Sequence, residues 1–187
     1  MGHKRRFRAA RALAALGLLV CAAPLAAALP DLGGAWILVP KRSDDVRGRI
    51  IDAAGIGYMQ GDVRKGAPRA WIHDWLMDQA EQPEARVLTI EQSSAEFKTG
   101  VAEDLRIYYF ARETKRQGPD GRLRSASVRW QGDQVVVQER ADKGSGRLEE
   151  VYTLQPNGRT LVVDFRLEHK GLRQPLELKL VFEKAAP

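Results

Sequence analysis

The stretch Thr160-Leu-Val-Val-Asp-Phe-Arg-Leu-Glu-His-Lys-Gly-Leu-Arg-Gln-Pro-Leu-Glu-Leu-Lys-Leu-Val-Phe-Glu183 decides how this chain folds. Leu161, Val163, Phe165 and Leu167 alternate with Val162, Asp164, Arg166 and Glu168. Leu176, Leu178, Leu180 and Phe182 alternate in the same way with Glu177, Lys179 and Val181. A period of two puts one set of side chains into a core and the other into water, the mark of an antiparallel strand with one wet face. Lys170-Gly171 between the two runs supplies a turn.

Reading back from this hairpin, the same period continues to Arg86. It predicts strands near 87–92, 95–99, 104–111, 123–130, 134–140 and 148–154. Turn sequences separate them: Pro119-Asp120-Gly121, Gly132-Asp133, Gly144-Ser145-Gly146 and Pro156-Asn157-Gly158. Gly, Asn and Asp tolerate the positive φ that tight hairpins need. With Gly34 to Val39, a β-rich run ended by Pro40, this makes nine strands joined mostly by short connections. A meander of that length leaves two sticky edges unless it curls on itself. The fold expected is therefore mainly β, an antiparallel meander closing into a barrel or half-barrel, with a two-sheet sandwich as the alternative.

One insert interrupts the pattern, over residues 43–82. Ser43 can cap a helix that Asp44 and Asp45 favour at its positive end, with Val46, Ile50, Ala53 and Ala54 on one face and Gly55 as its stop. Residues 57–69 are Gly-rich and basic and read as loop. From Pro68, Trp71, Ile72, Trp75, Leu76 and Ala80 follow at helical spacing until Pro83.

The first 28 residues read as a secretory signal peptide. Lys4, Arg5, Arg6, Arg8 and Arg11 come first, then an uncharged run from Ala12 to Leu29, then Ala26-Ala27-Ala28 before the expected cleavage point. The uncharged run is 18 residues, the lower bound for a membrane span, so a retained anchor is the rival reading. Alanine, Gly17 and Pro24 weaken it. Val20 before Cys21 does not suit a lipoprotein signal, and Phe7 directly after Arg5-Arg6 argues for Sec rather than twin-arginine export. The expected place is the periplasm or the medium, with residues 29–187 forming one domain.

Five of the chain's 30 basic residues, and none of its 24 acidic ones, lie in this leader, so the net charge of +6 falls to about +1 without it. A basic surface for nucleic acid is then not expected, and membrane contact is expected only through the leader. Cys21, the one cysteine, leaves with it, so no disulfide can form.

Four segments together resemble exported proteins of lipocalin-like, calycin type. They are Asp31-Leu-Gly-Gly-Ala-Trp-Ile-Leu38, Val87-Leu-Thr-Ile-Glu-Gln92, Val128-Arg-Trp-Gln-Gly-Asp-Gln-Val-Val-Val137 and Tyr152-Thr-Leu-Gln-Pro-Asn-Gly-Arg-Thr-Leu-Val-Val163. They look like that group's Gly-x-Trp first strand, the strand after its insert, its Trp-x-Gly-Asp hairpin and its Leu-x-Pro-Asn-Gly hairpin. The resemblance implies that Trp36 closes the barrel base and that a small apolar ligand is bound. The chain departs from classical lipocalins in carrying its helices after the first strand, not after the last.

Few residues present themselves as a site. Trp71 and Trp75, one helical turn apart, are candidates for a lid over the barrel mouth or a membrane-interface stripe, although such a stripe commonly packs as core. Tyr109 shares a strand face with Leu105 and Ile107 and is the candidate pocket wall. His73, Asp74 and Asp78 share the second helix without the convergent ligands a metal needs, and no metal or other cofactor is expected. Arg64, Lys65, Arg69, Lys115, Arg116, Arg122 and Arg124 read as solvated charges. No Gly-x-Ser-x-Gly elbow is present, and acid pairs such as Glu149-Glu150 point to opposite faces of a strand. The expectation is a non-catalytic binding module for a small hydrophobic ligand; the alternative is an envelope-structural or protein-interaction domain without one.

Overall fold

The computed structural model describes residues 29–54, 87–101, 104–117, 123–141, 146–170 and 172–186. Within them ten strands run in chain order: β1 Gly34–Leu38, β2 Val87–Gln92, β3 Glu96–Val101, β4 Asp104–Tyr109, β5 Thr114–Gln117, β6 Leu123–Gln131, β7 Gln134–Ala141, β8 Arg147–Leu154, β9 Thr160–Glu168 and β10 Leu176–Lys184. They form one antiparallel sheet in the order β4-β3-β2-β1-β10-β9-β8-β7-β6-β5. Sequence neighbours pair throughout except β4 with β5, and β1 also joins the last strand through Trp36 opposite Lys184 and Leu38 opposite Phe182. The sheet curls until β4 approaches β6, leaving a seam between β4 and β5, with a local bridge from Tyr109 to Arg112 in the connection that follows β4. The barrel reading holds; the sandwich does not.

The two runs that decided the reading pair across their full length, Leu161 opposite Phe182 through to Leu167 opposite Leu176. Their apolar parity faces inward and is buried. The Asn157-Gly158 turn before β9 shows how the register is set. Gly158 adopts φ 65°, and Asn157 Oδ1 accepts the N–H groups of Arg159 and Thr160 at 2.9 and 3.0 Å. Thr160 O then takes the Gln155 N–H at 2.8 Å and closes the hairpin.

Ser43 does not cap the helix. Its hydroxyl accepts the Val181 N–H at 2.9 Å and donates to Val39 O at 2.9 Å, while Asp44 Oδ2 accepts the Lys179 N–H at 2.8 Å. These side chains satisfy β10 beyond the end of β1, after a short 3-10 turn over Pro40–Arg42, so helix α1 starts only at Val46 and runs to Ala54. Val46, Ile50 and Ala53 form its buried face, packed on β10. The Arg173 N–H bonds to Ala53 O at 2.8 Å and ties the β9–β10 hairpin to the helix. This defines the helical end of the barrel. The expected loop over 57–69 and the second helix lie outside the described residues.

The opposite end, the base, is sealed. Trp36 is wholly buried and its indole N–H donates to Leu32 O at 2.9 Å, with Lys184 Nζ 5.3 Å from the ring centroid. Phe97 meets Tyr152 edge-on at 5.1 Å, and Phe110 stacks on Trp130 at 5.8 Å. Trp36 thus has the base position that the resemblance implied.

Candidate functional site

Strand register decides which side chains enter the barrel, and on β4 it overturns the expected parity. Phe97 and Thr99 face inward on β3, and their partners on β4 are Tyr108 and Arg106. Tyr109 therefore lies on the outward parity with Leu105 and Ile107, half-buried, with the Arg112 guanidinium carbon 4.3 Å from its ring centroid. Ile107 is 45% exposed. The tyrosine that enters is Tyr108. Trp71 and Trp75 lie outside the described residues, as do His73, Asp74 and Asp78.

Inside the barrel, β4 to β8 bring together a group of charges. Arg106 Nη2 donates to both oxygens of Glu150 at 3.0 Å, and Tyr152 Oη donates to Glu150 Oε2 at 2.8 Å. The Tyr152 hydroxyl also lies 3.3 Å from Thr99 Oγ1. Beside this set, Tyr108 Oη donates to Glu139 Oε1 at 2.6 Å, and Arg116 Nη1 reaches the same oxygen at 3.2 Å and the Tyr108 hydroxyl at 3.4 Å. Arg124, on the inward parity of β6, is buried as well.

Arg116 and Arg124 are thus interior residues and not the solvated hairpin charges their sequence context suggested. Glu150 is likewise turned inward while Glu149 faces out, where Gln138 and Arg147 bond to it. Sequence reasoning missed Arg106, Glu139 and Glu150. A signal was present: Glu139 follows Val135 and Val137 on their parity, and Glu150 sits between Leu148 and Tyr152. A carboxylate on an apolar parity needs a buried counter-charge.

Burial governs the chemistry of these groups. It raises the Tyr152 hydroxyl pKa far above the ordinary phenol range, and nearby Glu150 raises it further. Burial raises Tyr108 as well. Both stay neutral and act as donors to carboxylates. Burial alone would lower the Arg106 pKa, yet Glu150 and the neighbouring groups hold it above its ordinary value, so the guanidinium stays charged. An ion pair taken out of water gains little over an apolar pair of equal volume. Its presence is therefore a weak source of stability.

The facing wall is aliphatic and aromatic: Leu38, Leu88, Ile90, Phe165, Leu178 and Leu180, from β1, β2, β9 and β10. Among the described residues no three side chains converge to hold a metal ion.

No protein-family model matches the chain, and no curated protein matches it by sequence. Solved structures do. The chain is similar to a structure titled "REP1-NXSQ fatty acid transporter" (14% identity, 84% of this chain and 98% of that one, TM-score 0.53). It is similar to human cRBP IV (18% identity, 83% and 98%, TM-score 0.50). It is also similar to apo lipid binding protein 8 of Caenorhabditis elegans (12% identity, 82% and 94%, TM-score 0.52). At these identities the likeness concerns the fold. Ten antiparallel strands in this order, an insert after the first strand and a seam between the fourth and fifth give the chain the fold of the lipocalin-like, calycin-type barrels.

Proposed function

We propose that the chain is a non-catalytic binding module for a small, largely apolar ligand that carries one polar group. The carrying observation is the arginine–glutamate–tyrosine group that β4 to β8 place in a barrel interior otherwise lined by aliphatic and aromatic side chains. Apolar surface supplies affinity in such a site and a few fixed polar groups supply orientation. Trp36, Phe97, Val135, Val137 and Leu161, with Tyr108 of the polar group, are all 0% exposed, so no water-sized void touches them and polar contact with a guest falls to Arg106 and Arg116. A guest must then lie between that floor and the helical end. The similar structures named for fatty acid transport and lipid binding support the apolar class of ligand.

The module is proposed to work in the periplasm or the medium, delivered by residues 1–28. Intact-mass measurement of the protein from its own host should give a chain starting at Leu29; a chain retaining residues 1–28 would remove the export reading.

Native mass spectrometry of the same material tests the binding reading. A retained molecule of small mass, or saturable uptake of a fluorescent fatty acid after extraction, is expected. A folded protein with neither would overturn it. The rival, an interaction domain without a small ligand, draws on Ile37 and Val87, which lie side by side and exposed on the outer face. A protein adduct in that spectrum would favour it.

A further inference from the structure

The helical end carries a second feature that owes nothing to the interior. Between the β7–β8 and β9–β10 hairpins lies an open groove of about 550 Å³, lined by Arg140, Arg147, Lys170 and Arg173 together with Leu172 and Pro175. Its other lining includes His169 and one carboxylate, Glu168, which already accepts the Arg166 Nε–H at 2.9 Å. Among the described residues no carboxylate lies within ion-pair distance of Arg140, Lys170 or Arg173. Arg147 is paired, to Glu149 at 3.0 Å, yet it stands directly opposite Arg140 across the β7–β8 ladder. Like charges placed directly opposite oppose pairing.

Four cations on two adjacent hairpins stand out in a chain whose residues 29–187 are almost neutral. Guanidinium and ammonium groups so gathered recognise phosphate oxygens, which accept from the arginine fork two at a time. A single small anion needs two such groups. A wide groove with four of them, edged by Leu172 and Pro175, matches a surface that presents many phosphates beside apolar chains. We propose that this groove seats the helical end of the barrel on an anionic phospholipid surface, with headgroup phosphates as its ligands. This goes beyond the expectation that the leader alone touches a membrane, and it stands whether or not the interior holds a ligand.

The test reads the groove locally. The protein purified from its host is mixed with vesicles of phosphatidylcholine alone, or with about one third phosphatidylglycerol, and its amines are acylated and mapped by mass. Lys170 should be protected by the anionic vesicles only, with Lys179 on the outer face of β10 as the internal reference, and protection should fade at high salt. Arg140→Gln with Arg147→Gln, or Lys170→Gln with Arg173→Gln followed by sedimentation, should weaken the anionic preference about fivefold per cation lost, the equivalent of about 1 kcal/mol each. Because Arg140, Lys170 and Arg173 are exposed, the variants should keep the parent's circular dichroism and urea midpoint. Equal protection by both vesicles, unchanged binding by folded variants, or protection of Lys170 by inorganic phosphate without vesicles would each overturn the proposal.

Discussion

Glu150 is the residue on which the interior depends most. It accepts from Arg106 and from Tyr152, and its carboxylate is nearly inaccessible. Glu150→Gln leaves Arg106 charged and uncompensated in the barrel. Loss of about 3–5 kcal/mol is expected in urea unfolding. Replacing both partners together, Arg106→Met with Glu150→Leu, should restore most of it, because the charge and its desolvation leave together. The tyrosines make a separate prediction. Their native pKa values lie above the unfolded value of about 10, so the native state resists ionisation that the unfolded chain accepts. Stability is then intact below about pH 10 and falls as pH rises further. An absorbance titration of phenolate should show Tyr108 and Tyr152 ionising only with unfolding, and Tyr108→Phe with Tyr152→Phe should remove that step. At this scale the sequence is a poor guide. Tyr108 and Tyr109 are adjacent, alternation alone does not say which enters, and the register against Phe97 that decides it is a long-range fact.

Elements were easier to read than residues. β9 and β10 have aliphatic side chains on one parity and charges on the other, and they pair as expected. The β8–β9 and β6–β7 turns carry Gly158 and Gly132, both at φ 65° with open space around the missing Cβ. Alanine at either position should therefore cost only its backbone strain, about 1 kcal/mol, while asparagine should be close to neutral; thermal unfolding measures both. On α1, Ile50 is fully buried against the barrel, and Ile50→Ala should cost about 2–5 kcal/mol through the cavity it leaves. β5 escaped sequence reading altogether. Thr114-Lys115-Arg116-Gln117 has no apolar residue, so neither alternation nor β propensity betrays it. The start of α1 was misplaced for a comparable reason. Ser43 and Asp44 have the chemistry of caps, but the backbone groups they satisfy belong to β10, 135 or more residues away.

For the molecule as a whole, the barrel was legible from strand count and turn spacing, because nine or ten hairpin-linked strands have few other ways to cover their edges. The interior polar group was not, since it arises from five strands whose charges look unrelated in one dimension. A ligand present at 100 times its dissociation constant should raise stability by about 2.7 kcal/mol, seen as a shift in the thermal midpoint after delipidation and reloading.

The seam between β4 and β5 has one more effect, on how copies of the chain behave toward each other. An open sheet edge invites a second chain to pair with it. Here one side of the opening is a four-residue strand with Lys115 exposed on it, and beside the end of β4 on the other side the exposed Arg112 lies over Tyr109. Two copies meeting edge to edge would press these cations together. The polarity that hid β5 from sequence reading thus opposes the growth of a stack of copies through this edge.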